Sequence, residues 1–249
     1  MGKRVYRLKK DEVDLRDKIY RSTTYKTLAT LPTSVDLRPQ MSPVVDQGQL
    51  GSCTANAIAS GNMEFLMLKN KKKLTPLSRL WLYYQERKLE GTISEDDGAS
   101  IRDGMKIAVN LGCATESDWA YIISKFAVTP PVTADQDALN YKMVEYHSVA
   151  DLNSLKVCLA EGYPVVIGIE VYPSFESDTV AKTGKVPLPK KGEKCLGGHA
   201  LLAVGYKKIG NTKYVIIRNS WNDTWADNGY GYLPESYFKK YVSDMWTGR

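Results

Sequence analysis

Gln47-Gly48-Gln49-Leu50-Gly51-Ser52-Cys53-Thr54-Ala55-Asn56-Ala57 sets a cysteine at the start of a helical pattern. Beyond it, Ala57, Ile58, Gly61, Phe65 and Leu68 fall at helical spacing, which predicts a helix beginning at the thiol. Ser52 is a residue type that caps such a start. A helix N-terminus carries about half a positive charge, and that charge favours a thiolate over a thiol. Gly48, Gly51 and Ser52 let the preceding loop turn closely, bringing the side-chain amide of Gln47 toward the cysteine.

The partners that such a thiol needs lie far downstream. His199 stands in Gly197-Gly198-His199-Ala200, and Asn219 follows in Asn219-Ser220-Trp221. An unperturbed cysteine has a pKa of about 8.5, so only a few per cent is thiolate at neutral pH. A nearby imidazolium raises that fraction, and an amide orients the ring without adding a negative charge. A tetrahedral intermediate needs donors for its oxyanion, and the Cys53 N–H and the Gln47 amide supply two. Trp221 can shield the His199–Asn219 hydrogen bond and wall the leaving-group side. A cysteine at a helix start is, taken alone, a buried small hydrophobe, and a histidine in an apolar strand is a core residue. His147, in Glu145-Tyr146-His147-Ser148-Val149, reads that way. The ordered conjunction of Gln-x5-Cys, Gly-His-Ala and Asn-Ser-Trp-x3-Trp-x3-Gly-Tyr argues instead for nucleophilic catalysis on an acyl group.

Bulk properties narrow the alternatives. The chain has 249 residues, 43% of them apolar and 25% charged, which is the composition of an ordinary globular protein. The net charge of +6 is spread over short runs such as Lys69–Lys73 and Lys190-Lys191. That pattern is a solvated surface and not a nucleic-acid stripe. Four cysteines are too few for a disulfide scaffold. Cys158 lies in an apolar helical pattern, Cys113 and Cys195 are free to pair, and Cys195 with His199 makes at most half a metal site. We therefore expect no metal and no cofactor. The N-terminus lacks a secretory h-region, and no apolar run approaches the ~20 residues that span a bilayer. A monomer in the cytosol, away from membranes, is the simplest expectation.

The chain divides by texture. Residues 1–30 are polar and dotted with aromatics. Helical patterns follow over about 53–68, 76–88 and 100–109, with an acidic turn-rich loop from Gly91 to Gly98. Pro76 suits a first helical turn and Gly112 a helix end. Strand patterns dominate after about 140, at 141–149, 165–171, 200–206, 214–218 and 229–233, with one helix near 152–161. The expected fold class is therefore α+β: a helical half, about 31–140, and a mainly antiparallel β half, about 141–249. Cys53 would meet His199 and Asn219 only where the two halves touch.

At these residues the chain resembles the papain-like cysteine peptidases, from Leu31-Pro32 through the Cys53 helix and the His199 strand to Gly229-Tyr230-Gly231. The resemblance implies a two-lobe fold with a cleft between a helical lobe and a β-barrel-like lobe. It implies Cys53 as nucleophile, His199 as general base and acid, Asn219 as orienter and Gln47 as oxyanion donor. It implies substrate contacts at Asp97, Gly98, Gly198 and Trp221, with Gly98 offering backbone hydrogen bonds to an extended peptide. The function implied is endopeptidase cleavage of peptides or proteins through a thioester. A deconjugating enzyme, an acyl transferase or a non-catalytic peptide-binding protein on the same fold are the alternatives.

The departures are specific. Thr54 replaces the bulky aromatic after the nucleophile, and Leu50 replaces a disulfide cysteine. Asn222 and Ala226 replace glycines near Trp221. The segment from Phe175 to Gly198 is long and is expected to rim the primed side. Residues 1–30 precede the family's usual mature start and are expected to form a short pro-segment or arm across the cleft. The variant motif lies closer to the bacterial, archaeal and viral branch than to lysosomal cathepsins.

Overall fold

The computed structural model describes residues 4–22, 24–25 and 30–249. Cys53 opens one continuous helix over residues 53–69, built from Cys53–Ala55, a π-helical stretch Asn56–Met63 and a return to α geometry at Glu64–Lys69. The sequence spacing predicted plain α-helix. The wider π turns coincide with side chains bonded into the ladder: Ser60 Oγ donates to the Asn56 carbonyl at 2.7 Å, and Asn56 Nδ2 donates to the Ser52 carbonyl at 2.8 Å. Such widened turns recur at functional sites. Ser52 does not cap this helix with its side chain. Its hydroxyl lies 2.6 Å from the Tyr121 hydroxyl instead.

Two further helices, Arg79–Glu90 and Ile101–Asn110, pack beside it. The first begins three residues later than Pro76 suggested, because Ser78 takes the cap and accepts from Trp81 N–H at 3.0 Å. Gly91, at φ 75°, ends it. Ser100 caps the second helix and Gly112, at φ 82°, follows its end. Leu80, Trp81, Leu82, Phe65, Ile58, Ile101 and Met105 are fully enclosed where the three helices meet. At about 1.5–3 kcal/mol for each buried side chain, this contact is the main stabiliser of the helical half.

The β half is one seven-stranded antiparallel sheet in the order β2-β7-β3-β4-β5-β6, with β1 added on β4. The strands are β1 Val35–Asp36, β2 Tyr146–Ser148, β3 Val165–Val171, β4 Gly197–Ile209, β5 Thr212–Arg218, β6 Tyr230–Pro234 and β7 Val242–Gly248. The expected barrel is not closed: β2 and β6 lie at opposite ends of the sheet. β2 is also shorter than the predicted 141–149. β3 and β4 are buried along most of their length, and both the Cys53 helix and the helix Leu152–Ala160 pack on them. Gly61 lets the Cys53 helix settle on β4, where even a methyl group would stand 3.0 Å from Leu202. That docking carries the first turn of the helix to the His199 end of β4.

The segment expected to rim the cleft is anchored at its first residue. Phe175 is fully buried and packs against Trp221 and Trp225 at ring-centre distances of 5.6 and 6.1 Å. The two non-glycine residues near Trp221 adopt the left-handed backbone that glycine favours, Asn222 at φ 71° and Ala226 at φ 54°. Asparagine tolerates this region. Alanine loses about 1–2 kcal/mol there, while glycine costs about 0.5–1 kcal/mol in chain entropy. Ala226→Gly should therefore raise stability by about 0.5–1 kcal/mol. An unchanged or lower urea midpoint would show that the strain is absent.

Candidate active site

His199 is completely enclosed and shares a 2.9 Å hydrogen bond between its Nε2 and Asn219 Oδ1. The same Oδ1 accepts from the Ser220 N–H at 2.8 Å, which fixes that atom as the amide oxygen. His199 Nε2 is therefore the donor, and Nδ1 carries the lone pair. Among the described residues Nδ1 has no hydrogen-bond partner. The Trp221 indole stacks on the imidazole, with centres 5.3 Å apart and planes 26° apart. Two residues that the sequence places in one short loop thus orient and cover a ring that comes from another strand.

Cys53 is likewise fully enclosed, at the first turn of its helix and against β4. The backbone N–H of Ala200, next to His199, lies at its sulfur. Burial pushes the thiol up to about 12; the Ala200 N–H works against this and the buried Glu86 carboxyl adds to it. Burial pulls His199 down to about 4, opposed by the Asn219 bond and reinforced by the Arg4 charge. At neutral pH both groups are uncharged in this state.

Gln47 comes to the same place. Its Oε1 accepts from Ser220 Oγ at 2.6 Å and its Nε2 donates to the Leu50 carbonyl at 2.9 Å, which leaves one amide hydrogen over. Ser220 therefore orients both Asn219 and Gln47, a role that nothing in its residue type announces. Thr54 Oγ1 donates to Glu86 at 2.7 Å beneath the nucleophile, in space that a bulky aromatic would otherwise fill.

The described part of the N-terminal segment covers the His199 side of the site. Residues 4–9 lie extended along the groove, with Leu8 N–H bonded to the Gly198 carbonyl at 3.0 Å and Lys9 N–H to the Ala99 carbonyl at 3.1 Å. Successive side chains alternate between the walls. Arg4 stands over Trp221 and pairs with Asp46 at 2.8 Å. Tyr6 caps the His199 ring edge-on at 5.8 Å and donates to Glu176 at 2.5 Å. Lys9 turns the other way, to Asp97 at 2.5 Å and Glu90 at 2.7 Å. Further along, Tyr20 N–H bonds the Ser148 carbonyl at 2.8 Å, adding the segment to the edge of β2.

Each expected substrate contact touches this arm, although Gly98 does so in an unforeseen way. Its N–H is taken by the Tyr83 hydroxyl at 3.1 Å. Its use is clearance: at φ 71°, a Cβ there would stand 1.8 Å from the Arg7 carbonyl oxygen. The wall offers the Ala99 carbonyl instead. Cys113 and Cys195 are not joined: one is buried, the other exposed, and all four cysteines are free. Among the described residues no group of three or more metal-binding side chains assembles, and no helix is long and apolar enough to cross a membrane.

Residues 31–241 match the papain family cysteine protease model. The chain belongs to the papain family of cysteine proteases. It is 39% identical over 245 residues to a peptidase C1-like protein of Acanthamoeba polyphaga mimivirus, covering 90% of this chain and 78% of that one. It is 30% identical over 211 residues to cysteine proteinase 3 of Entamoeba histolytica, covering 80% of this chain and 61% of that one. The solved structure of xylellain, a cysteine protease from Xylella fastidiosa, superposes with a TM-score of 0.91 at 36% identity over 100% of this chain and 98% of that one. A digestive procathepsin L 3 of Tenebrio molitor shares the fold at TM-score 0.70 and 20% identity, over 98% of this chain and 76% of that one. The viral and bacterial relatives fit the non-lysosomal branch that the variant motif suggested.

Two outcomes follow from the enclosure. In the full chain, Cys53 should resist iodoacetamide at pH 7, and Tyr6→Ala should speed its alkylation more than about a hundredfold, since each unit of thiol pKa is a tenfold change in thiolate. Equal rates by intact mass would refute the shielding. Asp11, in the arm, is raised from 3.8 to about 6 by burial and by the neighbouring Asp244 charge. A raised docked-state value means that its contribution to docking is full below the ordinary carboxylate range and is lost as pH rises through about 6. The ratio of wild-type to Asp11→Asn alkylation rates should therefore climb between pH 4 and 6.5; a flat ratio would contradict this.

Proposed function

We propose that this chain is a cysteine endopeptidase whose own N-terminal segment holds the catalytic pair inactive. The observation that carries the reading is His199, with Nε2 bonded to Asn219 and Nδ1 bare, buried beneath a peptide lying between the Gly198 and Ala99 carbonyls. In this reading Cys53 Sγ gives its proton to His199 Nδ1 and attacks the substrate carbonyl carbon. The Cys53 N–H and the spare Gln47 amide hydrogen meet the oxyanion. The imidazolium then protonates the leaving amine, and water, deprotonated by His199, releases the acyl group from sulfur. Asp97, Gly98, Gly198 and Trp221 line the path of the substrate.

The direction of the arm supports an inhibitory role. With the acyl side of a substrate at Gly98 and its leaving side at Trp221, a substrate runs from Gly98 toward Trp221. The arm runs the opposite way, from Arg4 at Trp221 to Lys9 at Ala99. Its carbonyls therefore face the nucleophile in the wrong sense for cleavage. The four free thiols fit a reducing compartment, in keeping with a cytosolic site of action.

Cys53→Ala should abolish hydrolysis of a diverse peptide library under reducing conditions, and a chain beginning at Leu31 should outpace the full chain. Turnover surviving in Cys53→Ala would overturn the nucleophile assignment. Equal rates for the long and short chains would overturn the inhibitory role alone.

A further inference from the structure

A carboxyl group that the mechanism does not use lies beneath the nucleophile. Glu86 stands on the helix Arg79–Glu90 and is fully enclosed. Its Oε2 accepts from Thr54 Oγ1 at 2.7 Å, and among the described residues its Oε1 has no hydrogen-bond partner. The cation next to it in sequence is turned elsewhere: the Arg87 guanidinium donates to the carbonyls of Ile93, Glu95 and Phe126. A neighbouring helix makes room for the acid. Gly104 lies inside Ile101–Asn110, where glycine weakens a helix. A Cβ there would overlap Glu86 Oε1 and stand 2.5 Å from Ile58 Cδ1. Thr54, Glu86 and Gly104, on three helical segments, are thus fitted around one carboxyl group.

Its surroundings favour the neutral acid. Burial raises Glu86 well above the ordinary carboxyl range, and the charges of Glu90 and Asp103 add to this, against the Thr54 bond and the Arg87 charge. A charge on Glu86 would also disfavour the Cys53 thiolate, and it bears in the same sense on the buried Cys113, beside Glu64 and Glu116. Thr54 joins this acid to the sulfur. Its side chain is held by Glu86, while its backbone N–H, like those of Cys53 and Ala200, lies at Cys53 Sγ. Such N–H groups are the fixed dipoles that favour a thiolate. Ser52 does not cap this turn with its side chain, and the Thr54–Glu86 bond ties the turn to the next helix.

We propose that Glu86 is a positioning residue for the nucleophile: through Thr54 it fixes the turn whose backbone N–H groups face Cys53 Sγ. The assignment rests on the peptidase reading above. An acceptor is needed at this place, and a negative charge is not. A carboxylate there would set a second negative charge in the same dry interior as the thiolate, and like charges oppose one another's ionisation. The protonated acid keeps the acceptor and leaves the thiolate as the one negative charge that the N–H groups meet.

The test uses the full chain carrying Tyr6→Ala and follows iodoacetamide alkylation of Cys53 by intact mass across pH. Thr54→Val, which removes the hydroxyl and little else, should move the rise of the profile to higher pH, with about a tenfold loss of rate at pH 7 for each pH unit moved. Glu86→Ala should move it the same way. Thr54→Ser keeps the hydroxyl and Glu86→Gln keeps an uncharged acceptor, so both should hold the profile of the Tyr6→Ala chain. In hydrolysis, Thr54→Val should lower kcat/KM by a similar factor for every peptide, because the loss lies at the reacting sulfur. A Glu86→Gln profile moved to lower pH would show a charged Glu86 that repels the thiolate, and it overturns the proposal. So does a Thr54→Val profile that matches the Tyr6→Ala chain, or a loss confined to some peptide sequences. Thr54→Val carries the test if Glu86→Ala does not fold. The expected alkylation shifts with no cleavage of any peptide would sink the peptidase reading and leave the positioning role standing.

Discussion

Tyr6 covers the His199 imidazole, the Cys53 thiol is buried as well, and desolvation favours the neutral form of both. Separating charge between them is favourable only where water or fixed dipoles can receive it. The helix N-terminus at Cys53, the Ala200 N–H and the Asn219 amide are fixed dipoles aimed at the charged pair, and all are already in place. In the inhibition proposed above, the missing component is hydration. That proposed inhibition requires no displaced residue: His199, Asn219, Gln47 and Ser220 stand bonded to one another.

That economy depends on backbone shape. The arm can lie flat in the groove because the groove is walled by glycines at its contact points. A Cβ on Gly98, Gly197 or Gly198 would stand 1.8, 2.4 or 2.8 Å from a backbone oxygen of the arm. A substrate strand would need the same clearance, so the arm and a substrate compete for one channel. Side chains then add direction. Alternate arm residues reach opposite walls: Arg4 and Tyr6 meet Trp221 and His199, while Arg7 and Lys9 meet Asp96, Asp97 and Glu90.

How much of this was legible in the sequence follows from how local each cause is. The Cys53 helix start, the strand of His199 and the Asn219-Ser220-Trp221 turn were readable, because each is a short run with its own pattern. The left-handed turns at Asn222 and Ala226 were readable only as glycines replaced, and the backbone did keep the glycine conformation. Ser52 failed as a cap because Tyr121, 69 positions on, takes its hydroxyl. The Gly98 N–H was lost to Tyr83, and the barrel stayed open because β2 and β6 never meet. The misses at Ser52 and Gly98 are contacts between residues distant in sequence, where residue type says what can bond but not what arrives.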